Sequence, residues 1–275
     1  MPKLVLAKGW TQPTSFMGAP PAVPAEQLAL FPRKINFEFP APEGKDILSR
    51  VEADNGRKYY LKIDRGGIPV RASEWLCYRL AGMVGIPVPR CDFIQTSNGD
   101  IAFGSEALDG ASRQTETVLF LETRSVNELG MPTPGLQAAL SAIHAFDLFV
   151  NNIDRHLGNF LVMPQGDDRQ LLAIDFARSF FWRWPWDGFP RPDDMTTEAW
   201  RELRQRHGFD PSAALAIVKR LGIISVGEIE GFLRQMPSHW LSEVMRSELL
   251  AYCRDGGWAA RVEGLGKGLE NGSIV

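Results

Sequence analysis

The chain has 275 residues, near the upper limit for a single hydrophobic core, so one large domain or two packed lobes is expected, and two lobes are favoured. It is 44% hydrophobic and 23% charged with a net charge of −3, which excludes the basic footprint of a nucleic-acid or anionic-membrane binder. Three scattered cysteines exclude a disulfide framework, no apolar run reaches the roughly 18 residues of a membrane helix, and the N-terminus lacks a signal-peptide layout, so a cytoplasmic protein is expected.

Residues 1–45, centred on "GAPPAVPAEQLALFP", are rich in Pro and Gly and read as an extended arm without chemistry. From residue 46 the pattern changes. "ILSRVEADNGRKYYLKID" is two β-rich runs around Asn55-Gly56, a pair suited to a type I′ hairpin turn. A helix follows from about Ser73, with Trp75, Leu76, Leu80 and Val84 at helical spacing and Gly85 and Pro87 stopping it. Strands near 92–95 and 101–103 complete a first unit over residues 46–105. "EALDGAS", residues 106–112, is a linker into a second unit over 106–275. There "GLQAALSAIHAFDLFV" is a helix and "QLLAIDFARSFFW" a strand and turn, and from Thr196 onward four segments carry apolar residues three and four apart. The fold class is therefore α+β, a small β-rich lobe and a mostly helical one, each burying its own apolar faces, with a cleft near residues 104–112.

The stretch "FVNNIDRHLGNFLV", residues 149–162, encloses an Asp, an Arg, a His and three Asn between two apolar runs. Asp154 and Asn159 lie five residues apart in a loop after a helix, and Asp175 ends the strand "LLAID" sixteen residues later. Hard oxygen donors on two neighbouring connections suit Mg²⁺, which takes one or two side chains and completes its shell with water and substrate phosphates. In phosphoryl transfer one carboxylate accepts the hydroxyl proton while an Asn and a second Asp hold metal. Each residue alone also reads as an Asx-turn, a loop cap or a strand-terminal Asp; the three together are poorly explained that way.

These segments, with "YYLKI" and "SEWLCYRLAGMVGIPVPRCDFI", resemble the HipA-like kinases over roughly residues 46–260. The resemblance implies a two-lobed protein-kinase-like fold, distantly similar to phosphoinositide kinases, and Mg²⁺-dependent transfer from ATP to a protein Ser or Thr. It implies Asp154 as base, Asn159 and Asp175 as metal ligands, Lys62 on the phosphates, Glu74 as its helix partner, and Glu106 at the nucleotide site. It also leaves open an antitoxin-like partner, as some relatives have. Lys62 alternates with Leu61 and Ile63, so it is expected to face the cleft and add little to the core. The plainer readings are a solvated strand lysine and, for Glu74, an acid favoured in a first helical turn by the dipole alone. Arg155 and His156 flank the base and either orient it or contact phosphate; His156 is assigned no proton transfer. Two departures stand out. Ala177 occupies the place of the usual Gly after Asp-Phe, and no clear Gly-rich phosphate loop is present, with residues 42–48 and 64–71 as candidates.

The same motif residues would serve a lipid or small-molecule kinase or a nucleotidyl transferase, whereas a pseudokinase or binding module is disfavoured because Asp154, Asn159 and Asp175 are present together. A metal hydrolase built from His144, Asp147, Asp154 and His156 is disfavoured because no second His-rich segment completes its site. The Trp-rich stretches "FFWRWPWDGF" and "HWLSEV" have no basic patch beside them, so packing is expected there rather than base stacking.

Overall fold

The computed structural model describes residues 31–40, 48–123, 133–165 and 168–274. The arm up to residue 30, and the phosphate-loop candidate at 42–48 apart from Leu48, lie outside the described residues.

The part of the arm that is described is a strand. Arg33–Phe39 (β1) alternates charged and apolar residues and pairs antiparallel with Ser49–Ala53 (β2), with one irregularity between Ile35 and Phe37. β2 and Lys58–Lys62 (β3) form the expected hairpin. Its turn is not type I′, which needs positive φ at both central residues. Here Gly56 has φ +74°, Asn55 is not left-handed, and Gly56 N–H donates to Ala53 C=O at 2.9 Å, so a type I turn ends on a left-handed glycine. Next comes helix α1, Val70–Val84, starting a turn earlier than expected and ending at Gly85, whose φ of +77° lets its N–H reach Ala81 C=O. Cys91–Gln95 (β4) and Ile101–Glu106 (β5) follow, and β4 also meets β1 in parallel, closing a barrel in the order β1-β2-β3-β5-β4.

Beyond the barrel lie α2 (Gln114–Glu122), α3 (Leu136–Phe149), the hairpin β6 (Phe160–Gln165) and β7 (Asp168–Ala173), and α4 (Met195–His207). Helices α5 (Pro211–Gly222), α6 (Val226–Gln235), α7 (Glu243–Arg254) and α8 (Gly257–Asn271) complete the described chain. Side chains set two of their starts: Asp210 caps α5 ahead of Pro211, and Ser225 with Glu228 forms a capping box on α6. Among the described residues no helix is long and apolar enough to cross a membrane.

Separate cores for the two units are not what forms. The barrel strands keep a small one around Val51, Tyr59, Leu61 and Ile94. Helix α1 instead joins a continuous core that runs from Trp75, Leu80 and Phe103 through Phe146 and Phe149 to Leu221, Phe232 and Trp240. The cause is the helix's own sequence, which is buried on nearly every side and so needs cover from both the barrel and the helices. Two indoles seal the junction: Trp75 Nε1 donates to Phe232 C=O at 2.9 Å and Trp240 Nε1 to Ile101 C=O at 3.0 Å. The Trp-rich stretches do pack, as expected; Trp184 and Trp186 meet Tyr252 edge-on, and Trp240 meets Phe93.

Candidate active site

β3 delivers Lys62 on the face opposite Leu61, and the amine meets two carboxylates, Glu74 of α1 and Asp175 Oδ1 at 2.5 Å. Lys62 is 5% exposed and Glu74 fully buried, which corrects the expectation that this lysine adds little to the core. Burial opposes the Lys62 charge, but the Asp175 and Glu74 carboxylates outweigh it and raise its pKa. Burial likewise pushes Glu74 up to about 7 in spite of the neighbouring ammonium. For Asp175 burial acts upward, and Lys62 overrides it, holding the carboxyl below its ordinary value. Glu74 Oε1 also accepts the Phe176 N–H at 3.0 Å, so one acid ties the lysine to the segment that follows Asp175.

The backbone at Asp175 has φ +61°, a left-handed conformation that costs a non-glycine residue about 1–3 kcal/mol. Ala177 is not left-handed, which is why the glycine expected after Asp-Phe is unnecessary here. Its N–H donates to Asp175 Oδ1 at 3.3 Å.

Asp154 is held differently. Its N–H donates to Asn152 Oδ1 at 3.2 Å, its C=O accepts from Asn159 Nδ2 at 3.0 Å, and its carboxylate pairs with Arg178 Nε at 3.4 Å. His156 turns its Nδ1 to the Gly158 N–H at 3.1 Å, a loop-shaping role. Asp154, Asn159 and Asp175 all line a cavity of about 650 Å³, with Lys62, Glu106 and Arg178 also on its wall. Residues 105–108, 111 and 112 contribute as well, placing the cleft where the sequence put it. Glu74 stands behind Lys62 and reaches the cleft through it. Among the described residues the candidate loop at 64–71 adds nothing to the lining; Asp64 is bound to Arg71 instead, Oδ2 accepting from its guanidinium at 2.8 Å.

Arg155 is the residue whose place the sequence left undecided. It is fully buried and touches no cleft. Its guanidinium donates to both Asp147 oxygens at 2.8 Å, to Asn159 C=O at 2.8 Å and to Ile174 C=O, while its N–H donates to Thr196 Oγ1 at 2.8 Å. It therefore clamps the two connections that carry Asn159 and Asp175 onto α3. The available signal was an Asp inside the apolar helix, eight residues before an Arg inside an apolar frame. His144 stacks on Trp200 at 4.7 Å, and burial pushes its pKa down to about 3. With Asp147 bound to Arg155, the hydrolase set does not assemble, and among the described residues no cluster of three or more His, Cys, Asp or Glu is placed for a metal.

The cleft wall carries the carboxylates of Glu106, Asp154 and Asp175 and the amide of Asn159 as oxygen donors. Asn159 Nδ2 is engaged by Asp154 C=O, so it is the amide oxygen that could serve a cation, with the Asp175 carboxylate on the same wall. So sparse a donor set fits Mg²⁺ sharing its shell with water and phosphates.

A family model described as HipA-like kinase matches residues 49–250. The chain belongs to that family. Among solved structures it is similar to the Helicobacter pylori proinflammatory kinase CtkA, at 15% identity over 86% of this chain and 98% of that one, with a TM-score of 0.54, a likeness that shows a kinase-like fold. It is also similar, at 12% identity over 95% of this chain and 74% of the other and a TM-score of 0.44, to a Shewanella oneidensis structure of HipA with HipB and operator DNA. Among curated proteins none matches. Family and fold together make the HipA-like kinase chain a phosphotransferase by lineage.

Proposed function

We propose that this HipA-like chain is an ATP- and Mg²⁺-dependent kinase that phosphorylates a Ser or Thr hydroxyl of a protein. The observation that carries the reading is the bond from Lys62 to Asp175 on the wall that also holds Asp154 and Asn159. Lys62 takes phosphate oxygens, Glu74 keeps it aimed, and Glu106 lies where β5 hands the nucleotide's other end to the helical part. Asn159 and Asp175 hold Mg²⁺, which when bound neutralises charge on the phosphates. Asp154 receives the acceptor's proton as its oxygen bonds to the γ-phosphorus and the bond to the bridging oxygen breaks, releasing ADP. The reading needs no antitoxin-like partner.

The test is incubation of the wild type, Asp154→Asn and Asp175→Asn with labelled ATP, Mg²⁺ and cell lysate, alongside calorimetric ATP titration. Label on protein Ser or Thr is expected, with Asp154→Asn binding ATP nearly normally yet transferring nothing and Asp175→Asn losing Mg²⁺-dependent affinity. Label confined to lipid or small molecules would move the acceptor class. Label from the α-phosphate on protein would mean nucleotide transfer, and bound ATP with no label anywhere a pseudokinase.

A further inference from the structure

We infer that Arg178 is a positioning residue for the acceptor step, holding Asp154 in the orientation that receives the hydroxyl proton. The inference rests on the kinase reading above. Arg178 leaves the chain three residues after Asp175, and three contacts fix it next to the base. Its Nε pairs with Asp154 Oδ2 at 3.4 Å, its C=O accepts the Ile153 N–H at 3.2 Å, and its guanidinium lies over the Trp182 ring at 5.1 Å. The backbone bond pins the segment after β7 to the residue just before Asp154, so guanidinium and carboxylate share one local frame. Both side chains line the cleft.

Magnitude argues against a stabilising purpose. The two side chains are 32% and 27% exposed, and a solvent-screened pair of that kind contributes little to stability. Arg155, a short step away, already supplies the clamp that holds the two connections together. What the Arg178 pair does supply is direction. A guanidinium beside Oδ2 biases rotation of the Asp154 carboxyl toward the orientation that takes the incoming hydroxyl's proton, as that oxygen bonds to the γ-phosphorus and the bond to the leaving ADP oxygen breaks. At 3.4 Å the contact is an ion pair without hydrogen-bond geometry, and the buried Nε–H has no hydrogen-bond partner among the described residues; catalytic contacts are often poorly aligned in this way before substrate arrives.

The full-length chain is assayed with labelled ATP, Mg²⁺ and lysate protein as acceptor, comparing wild type, Arg178→Ala, Arg178→Gln, which keeps a polar planar group over Trp182, and Arg178→Lys. ATP affinity by calorimetry and the urea midpoint are read on the same preparations. Transfer by Arg178→Ala is expected to fall on the order of ten- to a hundredfold, the scale of a misplaced catalytic group. ATP affinity and the midpoint should stay near wild type, and Arg178→Lys should recover part of the rate because it restores a cation beside Asp154. Wild-type transfer in Arg178→Ala and Arg178→Gln overturns the inference, as does a loss of ATP affinity in step with the rate. A wild type that transfers to no acceptor while binding ATP defeats the kinase reading itself, and the inference with it.

Discussion

The two cleft carboxylates proposed for catalysis are built on opposite plans. Asp175 is set by side chains: a buried lysine bonds it, a buried acid aims that lysine, and the backbone beneath is held in a left-handed turn. Asp154 is set mostly through its backbone, by Asn152 and Asn159, with a partly exposed arginine at its tip. The difference matches what each must meet. On the kinase reading proposed above, a nucleotide with its metal is always the same, so its side can be assembled in advance by burial, whereas an acceptor varies and needs an accessible rim. Both plans rest on one residue, Arg155, because its guanidinium reaches the carbonyls of Asn159 and Ile174 at once.

Breaking that shared foundation should have the largest effect. Arg155→Ala leaves the fully buried Asp147 without its bidentate partner and frees two carbonyls, and removing one member of a buried pair costs about 3–5 kcal/mol. Urea unfolding should show a loss of that order or no folded protein, and Arg155→Lys should rescue little, since an ammonium cannot span the fork. A midpoint close to wild type would mean that the clamp is dispensable.

Lys62→Ala comes next, and it separates stability from activity. It strands Glu74 and Asp175 together, but Glu74, already pushed up to about 7, can take a proton, so the cost should be lower, about 2–3 kcal/mol. Adding Glu74→Gln should restore stability without restoring phosphoryl transfer. If the double variant is no more stable than Lys62→Ala, the acid is not the source of the strain.

How much of this was legible follows from what the residues bind. Asp154, Asn159 and Asp175 announce themselves because their spacing and oxygen chemistry are local, and the cavity does gather them. The capped helices were legible for the same reason. Three features were not. Strand β1 depends on pairing with β2 and β4, which a Pro-flanked "RKINFEF" does not advertise. Lys62 read as cleft-facing because alternation gives a direction but not a depth, and its burial comes from Asp175, 113 residues away. For Arg155 the sequence signalled at most the Asp147 partner in α3, not the carbonyls of Asn159 and Ile174 that it also reaches. The separate cores failed on α1, whose apolar faces were countable but whose second cover lay in α5 and α6.

Acid should act on the two sides with opposite sign. Glu74 titrates higher in the folded chain than its ordinary 4.5, so its protonated form favours the native state; that contribution is full below 4.5 and disappears as pH rises through about 7. His144, stacked on the Trp200 that bonds Asp147, is depressed from 6.5 to about 3, so its contribution is full above 6.5 and is lost as pH falls toward 3. Between pH 7 and 5 the nucleotide side therefore gains while the acceptor-side foundation loses, about 2 kcal/mol for the histidine. Urea midpoints at the two pH values should show His144→Phe less acid-sensitive than wild type and Glu74→Gln more so. Parallel shifts in both variants would contradict the assignment.

The smallest effect is expected at Asn152, where the contrast is sharpest. Its amide joins the two plans: Oδ1 accepts the Asp154 N–H, and Nδ2 donates to Asp147 Oδ1 at 2.9 Å, inside the Arg155 cluster. Asn152→Ala removes two hydrogen bonds but leaves Asp147 its arginine and Trp200, so the stability loss should be about 1–2 kcal/mol. Because Lys62, Glu74 and Asp175 are untouched, ATP affinity should not change. If Asp154 is held through its backbone, turnover should nonetheless fall, by about tenfold, since a small displacement of a proton acceptor is felt directly in the rate. The decisive comparison is with Asn152→Asp, which keeps the acceptor for the Asp154 N–H but sets a carboxylate against Asp147. That variant should be the less stable of the two and yet the faster per folded molecule. The reverse order would show that Asn152 serves the core and that the base is placed by its arginine alone.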